Sequence, residues 1–191
     1  RDGSWFETIN GKDERCIDDE IPFDIPENWI FSRMSSVSIL KSGVDLSSDK
    51  YNDQGKGIVY ITGASNIKEN GVLVNRWTEH PKNIANLGDI LLVCKGSTGK
   101  CTISNVPVAH IARQIMAITP ISISARYLLA YFKLIESKLN GASKGTIPGI
   151  ERRDVLSLLV PIPPMNEQKN IINSIDRLME LIESLRNPWE F

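Results

Sequence analysis

The chain has 191 residues, of which 41% are hydrophobic and 24% are charged. This length fits one domain of ordinary size with an appended segment, and the apolar content is sufficient for a buried core. No apolar run approaches the ~20 residues that a membrane-spanning helix needs, and no secretory leader is recognisable. The three cysteines match no zinc or redox motif, which favours reduced thiols in a cytoplasmic protein without a metal site.

Charge is distributed unevenly along the chain, although the formal net charge is only −1. Residues 1–30 carry −6, residues 31–150 carry +7 and residues 151–191 carry −2. The central segment is therefore the part that could bind a polyanion such as nucleic acid. The alternative is an ordinary solvated surface whose basic side chains point in all directions.

The chain first passes from an acidic segment into a β-rich body. Residues 1–20 contain few large apolar side chains, which indicates an extended acidic arm or linker. Across residues 21–164, short β-branched apolar runs alternate with Gly, Asn and Asp turns, as in a folded domain built mainly of strands. The runs that predict strands are Ile58–Ile61, Val72–Val74, Ile90–Val93, Cys101–Ser104, Ile115–Ile118 and Leu158–Val160.

One packed helix is predicted inside this body. Ser124 can cap its first turn, and Asn140-Gly141 can end it. Its apolar residues recur on one face with a period of about 3.6, at Leu128, Phe132, Ile135 and Leu139. The predicted fold class is therefore α+β, with a β-rich domain and a packed helix.

A second helix is predicted in the C-terminal segment, residues 165–191. Pro161, Pro163 and Pro164 make a stiff connection after the last strand, and Asn166 can cap a helix that extends to residue 186. Its apolar residues follow the 3-4 spacing of a coiled-coil seam, at Ile171, Ile175, Leu178, Ile182 and Leu185. The alternative is an amphipathic helix packed on its own domain.

The order of several motifs resembles that of type I restriction-modification specificity (S) subunits. In chain order these motifs are Ile25-Pro26-Glu27-Asn28-Trp29, Tyr60–Ile67, Gly88–Leu92, Lys95–Gly99, Gln114–Ile118, Gly145-Thr146-Ile147 with Ile150, and Val160–Gln168. Together they extend over roughly residues 22–186. The chain resembles one target recognition domain followed by part of a helical spacer.

The resemblance implies a protein without catalysis or a cofactor of its own. In such subunits, two target recognition domains each read half of a split double-stranded DNA sequence. Two spacers pair as an antiparallel coiled coil and dock the methyltransferase (M) and restriction (R) subunits. A chain with one domain and one spacer is expected to be a fragment of a longer subunit, or a half-length subunit that dimerises through its helix.

The loops of the basic segment supply candidate DNA contacts. Their lysines and small polar side chains suit phosphate groups, while Asn66 or Gln114 could read adenine and Arg113 could read guanine. Gln114 directly precedes an apolar run, so a buried role that satisfies backbone groups is the alternative for it. The predicted DNA-binding residues are Lys41, Ser42, Thr62, Ser65, Asn66, Lys95, Ser97, Thr98, Lys100, Arg113, Gln114, Lys144 and Thr146.

Enzymatic motifs are weak in this sequence. The segment Lys95–Lys100 resembles a phosphate loop, but cysteines stand where the first glycine and the Mg²⁺-binding hydroxyl should be. His80 and His110 lack ligand spacing, and no Pro-Pro-Tyr motif of an adenine methyltransferase is present. The alternatives to a DNA-reading module are a non-DNA adaptor that assembles partners through its C-terminal helix, and a small nucleotide-binding enzyme that uses the glycine loop.

Overall fold

The computed structural model describes residues 3–9, 11–141 and 149–186. The strands are β1 (Phe6–Ile9), β2 (Asp13–Cys16), β3 (Ile30–Arg33), β4 (Ser38–Ser42), β5 (Ile58–Ile61), β6 (Ile67–Lys68), β7 (Gly71–Val72), β8 (Trp77–Thr78), β9 (Ile84–Asn86), β10 (Ile90–Val93), β11 (Cys101–Ile103), β12 (Val108–Ile111), β13 (Ile115–Pro120) and β14 (Leu159–Ile162). The α-helices are α1 (Met34–Val37), α2 (Ala125–Leu134), α3 (Glu136–Gly141), α4 (Arg152–Leu156) and α5 (Met165–Arg186). The predicted α+β class is confirmed.

Two four-stranded sheets form the centre of the body. The first has the order β11-β10-β13-β4 and is antiparallel throughout. The second has the order β8-β5-β12-β9, and its central pair, β5 and β12, is parallel. Three further strand pairs, β1-β2, β3-β14 and β6-β7, complete the β structure of the described residues.

The first sheet is covered on both faces, as strand β10 shows most clearly. Its residues Ile90, Leu91, Leu92 and Val93 are all fully buried. Leu91 and Val93 join the core between the two sheets, while Ile90 and Leu92 join the core beneath the helices. Successive side chains of a strand point to opposite faces, so an unbroken apolar run requires both faces to be buried. The sheet is therefore the middle layer of the body.

Helix α2 covers the outer face of this sheet and follows the predicted pattern at its start. The Ser124 side chain caps the helix by accepting a hydrogen bond from the Tyr127 backbone N–H, at 3.5 Å. Leu128 and Phe132 are fully buried. The predicted single helix is wrong in one respect, because α2 ends at Leu134 and a separate helix, α3, follows.

Two tyrosines of α2 attach strand β14 to the body. Tyr127 and Tyr131 donate hydroxyl hydrogen bonds to the carbonyls of Pro161 and Leu159, at 2.9 and 2.6 Å. Burial raises the pKa of both phenols to about 12. Among the described strands β14 pairs only with β3, so these hydroxyls serve the carbonyls on its other edge.

The N-terminal segment differs from the predicted extended arm. Strands β1 and β2 form an antiparallel hairpin, with Phe6 opposite Cys16. The Trp5 ring packs edge-to-face on Phe31, with ring centroids 5.4 Å apart. The β2 side chains are exposed throughout, so this strand lacks the alternating apolar pattern that would have predicted it.

A network of four charged side chains holds this hairpin on the body. The Arg33 guanidinium bonds Glu7 at 2.7 Å and Glu20 at 2.8 Å, and Arg15 bridges the same two carboxylates at 3.0 and 2.7 Å. The hydrogen bond from Arg33 is the largest contribution that lowers the pKa of Glu7 to about 2, against an ordinary value of 4.5. The same partners raise the pKa of Arg33. Glu7 and Glu20, two of the acidic residues of the N-terminal segment, are therefore part of a structural ion-pair network.

Helix α5 begins on the body. It starts at Met165, so Asn166 lies within its first turn and the prediction of Asn166 as N-cap is wrong. Gln168 is 1% exposed and accepts from Ser124 N at 2.9 Å while donating to Pro163 O at 3.0 Å. Further along, Ile172 is 7% exposed and belongs to the core. The first two turns of α5 are thus part of the body.

Candidate nucleic-acid interface

Several strand ends meet at one edge of the two sheets. Strands β5 and β12 run parallel and both end there, and β13 starts there antiparallel to β10 and β4. We call the segments at these ends the loop edge. It comprises residues 41–46, 62–66, 82–83, 94–100 and 112–114. Most of the predicted DNA-binding residues lie in these segments.

Residues 43–46, in the first segment of the loop edge, are held tightly against the turn between β12 and β13. Gly43 N donates to Ile115 O at 3.0 Å, and Val44 N donates to Ile111 O at 2.9 Å. A Cβ on Gly43 would lie 2.1 Å from Ala112 O, so only glycine allows this approach. The segment is therefore fixed by backbone contacts on its inner side.

His110 supports the same segment from below. Its Nε2 lies 2.9 Å from Val44 O, and its Nδ1 accepts a hydrogen bond from Lys82 N at 3.3 Å. These partners fit a neutral imidazole that carries its proton on Nε2, and burial lowers the pKa of the ring accordingly. His110 is a core residue, and no group of His, Cys, Asp or Glu suited to a metal occurs among the described residues.

The segment 62–66 is organised by Asn66, whose burial does not fit its predicted base contact. Asn66 is 1% exposed. Its Oδ1 accepts from Thr62 N at 3.0 Å and from the Thr62 hydroxyl at 2.9 Å. Its Nδ2 donates to Leu73 O at 2.8 Å and to Asn75 Oδ1 at 3.0 Å. Because both ends of the amide are occupied, Asn66 shapes the loop, while Ser65 is exposed on it.

Gln114 and Lys100 border this loop. Gln114 is exposed, and its Oε1 lies 2.7 Å from where a Cβ of Gly63 would stand. Its backbone carbonyl accepts from Cys94 N at 2.8 Å, so the predicted alternative of a buried Gln114 side chain is not seen. Lys100 is half-buried, with Nζ 3.5 Å from Ala64 O. The structure thus brings together three loops that are distant in sequence.

The glycine loop, residues 94–100, turns between β10 and β11. Lys95 and Ser97 are exposed, while Thr98 is 7% exposed and so does not fit its predicted DNA contact. A strand follows the loop instead of a helix, so no helix N-terminus is available to bind a phosphate. The neighbouring cysteines are buried, and burial raises the pKa of Cys101 to about 11. The loop lacks the features of a nucleotide-binding or thiol-based active site.

A basic pocket lies at the end of β4. It has a volume of about 380 Å³ and is lined by Lys41, Ser42, Lys82, Asn83 and Ile84. Lys41 Nζ lies 3.5 Å from Ile84 O, and Asn83 Nδ2 donates to Ser42 O at 2.7 Å. Lys82 and Asn83 were not predicted, because only the pairing of β9 with β12 brings them beside β4.

Arg113 is the arginine of the loop edge. Its side chain is 68% exposed, and its Nε lies 2.8 Å from Asp45 Oδ2. The other oxygen of that carboxylate accepts from Arg113 N at 3.0 Å. Asp45 was also not predicted as part of the site.

Two predicted DNA-binding residues, Lys144 and Thr146, lie outside the described residues. The chain on their C-terminal side is described, and Gly149 pairs with Lys95 there. Ile150 N also donates to Cys94 O at 2.9 Å. Residues 149–150 therefore adjoin the glycine loop.

The predicted seam of α5 is exposed to very different extents along the helix. Ile171 is half-buried, Ile175 and Ile182 are 39% and 43% exposed, and Leu178 and Leu185 are 59% and 78% exposed. A groove of about 900 Å³ separates α5 from the body, and Ile175 and Ile182 line it. Beyond its first turns the helix therefore retains a large uncovered apolar surface.

The matching family model is that of the type I restriction modification DNA specificity domain, over residues 26–187. This match covers most of the chain. The chain belongs to this family. Among curated proteins, it is 26% identical over 175 residues to a specificity subunit assigned to the type I restriction enzyme MjaX of Methanocaldococcus jannaschii, and 23% identical over 197 residues to the EcoEI specificity subunit of Escherichia coli.

Solved structures of type I restriction-modification proteins share the fold of this specificity domain. A chain from a structure concerned with complex assembly and conformational transition of the type I R-M system has a TM-score of 0.80, with 25% identity over 87% of this chain. The HsdS subunit from Thermoanaerobacter tengcongensis has a TM-score of 0.79, with 24% identity over 89% of this chain. The fold is thus that of a specificity subunit.

The specificity domain described here spans less than half of these proteins. It covers 40% of the M. jannaschii protein, 31% of the E. coli protein and 42% of each of the two structural neighbours. Within the described residues, no helix is long and apolar enough to cross a membrane.

Proposed function

We propose that this chain is a target recognition domain that binds one half-site of a split double-stranded DNA sequence, within a type I specificity subunit. The observation that carries the proposal is the loop edge. Lys41, Lys82, Lys95 and Lys100 lie at this edge, and none of them forms an ion pair with another described residue. Cations without acidic partners are available to phosphates.

The loop edge also offers groups that can distinguish bases. Gln114 and Arg113 are adjacent and exposed in the turn between β12 and β13. An amide can form a bidentate pair with adenine, and a guanidinium can do so with guanine. Phosphate contacts from the surrounding lysines would set the orientation of the domain on the duplex. A non-DNA adaptor has no need of this combination.

The domain carries out no catalysis and needs no cofactor in this proposal. Modification and cleavage of DNA are assigned to separate methyltransferase and restriction subunits, as membership of a specificity family suggests. The buried thiols, the neutral core histidine and the strand after the glycine loop support this assignment. The substrate of the assembled enzyme would be selected, not converted, by this chain.

The exposed part of α5 is proposed to assemble the complex. Leu178 and Leu185 project from the helix without covering the body, and Ile175 and Ile182 line the open groove. A second spacer helix, from another recognition domain or from a second copy of the chain, would bury these residues in a coiled coil. The distance between half-sites would then depend on the length of the paired helices.

Fluorescence anisotropy on the full-length protein, assembled with its methyltransferase subunit, tests the proposal. Replacing Lys82 and Lys95 together by Gln removes two exposed cations of the loop edge. We expect affinity for duplex DNA to fall about 10- to 50-fold at 0.1 M salt, and the slope of log K against log salt to decrease by about 1.8.

Lys169→Gln is the matched control, because Lys169 is also an exposed lysine but lies on α5. Its binding curve should equal that of the unmodified protein. Equal losses of DNA affinity in both variants would show that binding depends on the net charge of the protein and not on the lysines of the loop edge. No DNA binding by the unmodified complex, beyond that of an unrelated protein, would refute the proposed function.

A further inference from the structure

We propose that Asp45 is a positioning residue that presents Arg113 to a guanine in the DNA major groove. This inference rests on the proposed function, and it adds a specificity-determining pair to the loop edge. It follows from three features of the pair: how Asp45 holds Arg113, which donors of Arg113 stay available, and how firmly Asp45 itself is held.

Asp45 engages Arg113 at two points. One carboxylate oxygen accepts the Arg113 backbone N–H at 3.0 Å, and the other lies 2.8 Å from Nε. The first contact fixes the carboxylate relative to the turn, and the second fixes the base of the guanidinium relative to the carboxylate. The direction in which the guanidinium projects is therefore determined by Asp45.

The outer donors of Arg113 stay available. Neither Nη1 nor Nη2 of Arg113 has a hydrogen-bond partner among the described residues, and the side chain is 68% exposed. Arg33 differs, because its Nε, Nη1 and Nη2 all bond to Glu7 or to Ser157 O. A guanidinium held through Nε keeps a planar pair of donors, which matches the O6 and N7 acceptors of guanine.

Asp45 is itself held by its two neighbours in the chain. Val44 is bonded through both its N–H and its carbonyl, to Ile111 O and to His110 Nε2, each at 2.9 Å. On the other side, Leu46 N donates to the Tyr60 hydroxyl at 3.3 Å. Exposed ion pairs ordinarily contribute little to the free energy of folding, because two mobile side chains must be ordered to form them. Here the backbone of one partner is already fixed, so the pair serves orientation.

Selection from a randomised double-stranded DNA library tests the inference, with the full-length protein assembled with its methyltransferase subunit. The unmodified complex should select a half-site that contains guanine at one position that Arg113 reads. In Arg113→Ala and Arg113→Lys, the preference for guanine at that position should fall roughly 5- to 150-fold, since lysine lacks the planar pair of donors. Preferences at the other positions should persist, which also shows that the variants fold.

Asp45→Asn is the decisive variant, because it keeps an oxygen for the Arg113 N–H but removes the charge that holds Nε. It should weaken the preference at the same position as Arg113→Ala, without lowering affinity for unselected DNA. Asp176→Asn is the matched control, since Asp176 forms an ion pair of similar exposure with Arg126, at 2.8 Å, on α5. It should leave the base preference at every position of the half-site unchanged.

Two results would overturn the inference while leaving the proposed function intact. A uniform loss of affinity in Arg113→Ala, with a salt slope lower by about 0.9, would identify Arg113 as a phosphate contact. An unchanged sequence preference in Asp45→Asn would show that Asp45 does not position Arg113. Absence of any sequence preference in the unmodified complex would instead refute the proposed function together with the inference.

Discussion

The loop edge and the distal part of α5 expose opposite kinds of side chain. The loop edge presents lysines and polar groups on loops that backbone hydrogen bonds hold in place. The distal part of α5 presents Leu178, Leu181 and Leu185, which are 59–78% exposed. Cations suit a polyanion, whereas an exposed apolar stripe on a helix suits a protein partner.

Strand β13 connects these two regions. It starts at Ile115, directly after Gln114 of the loop edge, and ends at Pro120, shortly before Ser124. The Ser124 N–H in turn binds the side chain of Gln168 on α5, at 2.9 Å. Because the first four residues of β13 are buried in the middle sheet, we expect the loop edge and helix α5 to be rigidly connected.

The largest expected effect tests where α5 stops being part of the body. Ile172→Asp should destabilise the domain by about 4 kcal/mol or more, because it places a carboxylate among core side chains without a partner. Urea unfolding followed by tryptophan fluorescence measures this loss. A stability within about 0.5 kcal/mol of the unmodified protein would show that the whole helix is independent of the body.

The second effect concerns the distal helix. The double substitution Leu178→Asp with Leu185→Asp should leave the unfolding curve almost unchanged, because both side chains are mostly exposed. Assembly into the specificity complex should weaken by about 100-fold or more, because two charges would enter the helix interface. Analytical ultracentrifugation with the methyltransferase subunit measures the strength of this assembly. Normal assembly would contradict the role proposed for this surface.

The smallest effect lies outside both regions, in the N-terminal hairpin. The folded-state pKa of Glu7, about 2, is below its ordinary value of 4.5, so its contribution to stability is present above about pH 4.5. That contribution is lost as the pH falls toward 2. Between pH 7 and pH 3, Glu7 should account for a decrease of about 1–2 kcal/mol in unfolding free energy.

Glu7→Gln should flatten this pH dependence, as measured by urea unfolding at the two pH values. Asp176→Asn is a suitable control, because it removes a carboxylate from an exposed ion pair elsewhere. An unchanged pH dependence in Glu7→Gln would contradict a structural role for the Arg33 network. DNA binding at pH 7 should be unaffected, since the hairpin is not part of the loop edge.

The sequence predicted the regular elements well where apolar residues were periodic. The run Ile90–Val93 is a buried strand, and Ser124 caps a helix whose Leu128 and Phe132 are buried. The β1–β2 hairpin was missed because β2 has no alternating apolar pattern, and because the ion pair of Glu7 joins it to Arg33, which is distant in sequence. The end of α2 was placed too late, because its apolar face continues into α3.

The candidate site was predicted less completely, for a physical reason. Residue type cannot separate an amide that reads a base from one that fixes a loop: both Asn66 and Gln114 were candidate adenine readers, and a buried role was suggested only for Gln114. Burial separates them, because Asn66 is 1% exposed and Gln114 is exposed. Asp45 was missed because its partner, Arg113, lies 68 residues away in sequence.

Site-specific photocrosslinking tests the central claim most directly. A photoreactive amino acid replaces either Gln114 at the loop edge or Leu178 on α5 in the full-length protein, which is assembled with its methyltransferase subunit and duplex DNA. We expect covalent attachment of DNA at position 114 and of protein at position 178. DNA attached at position 178 but not at position 114 would contradict the assignment of the loop edge to DNA.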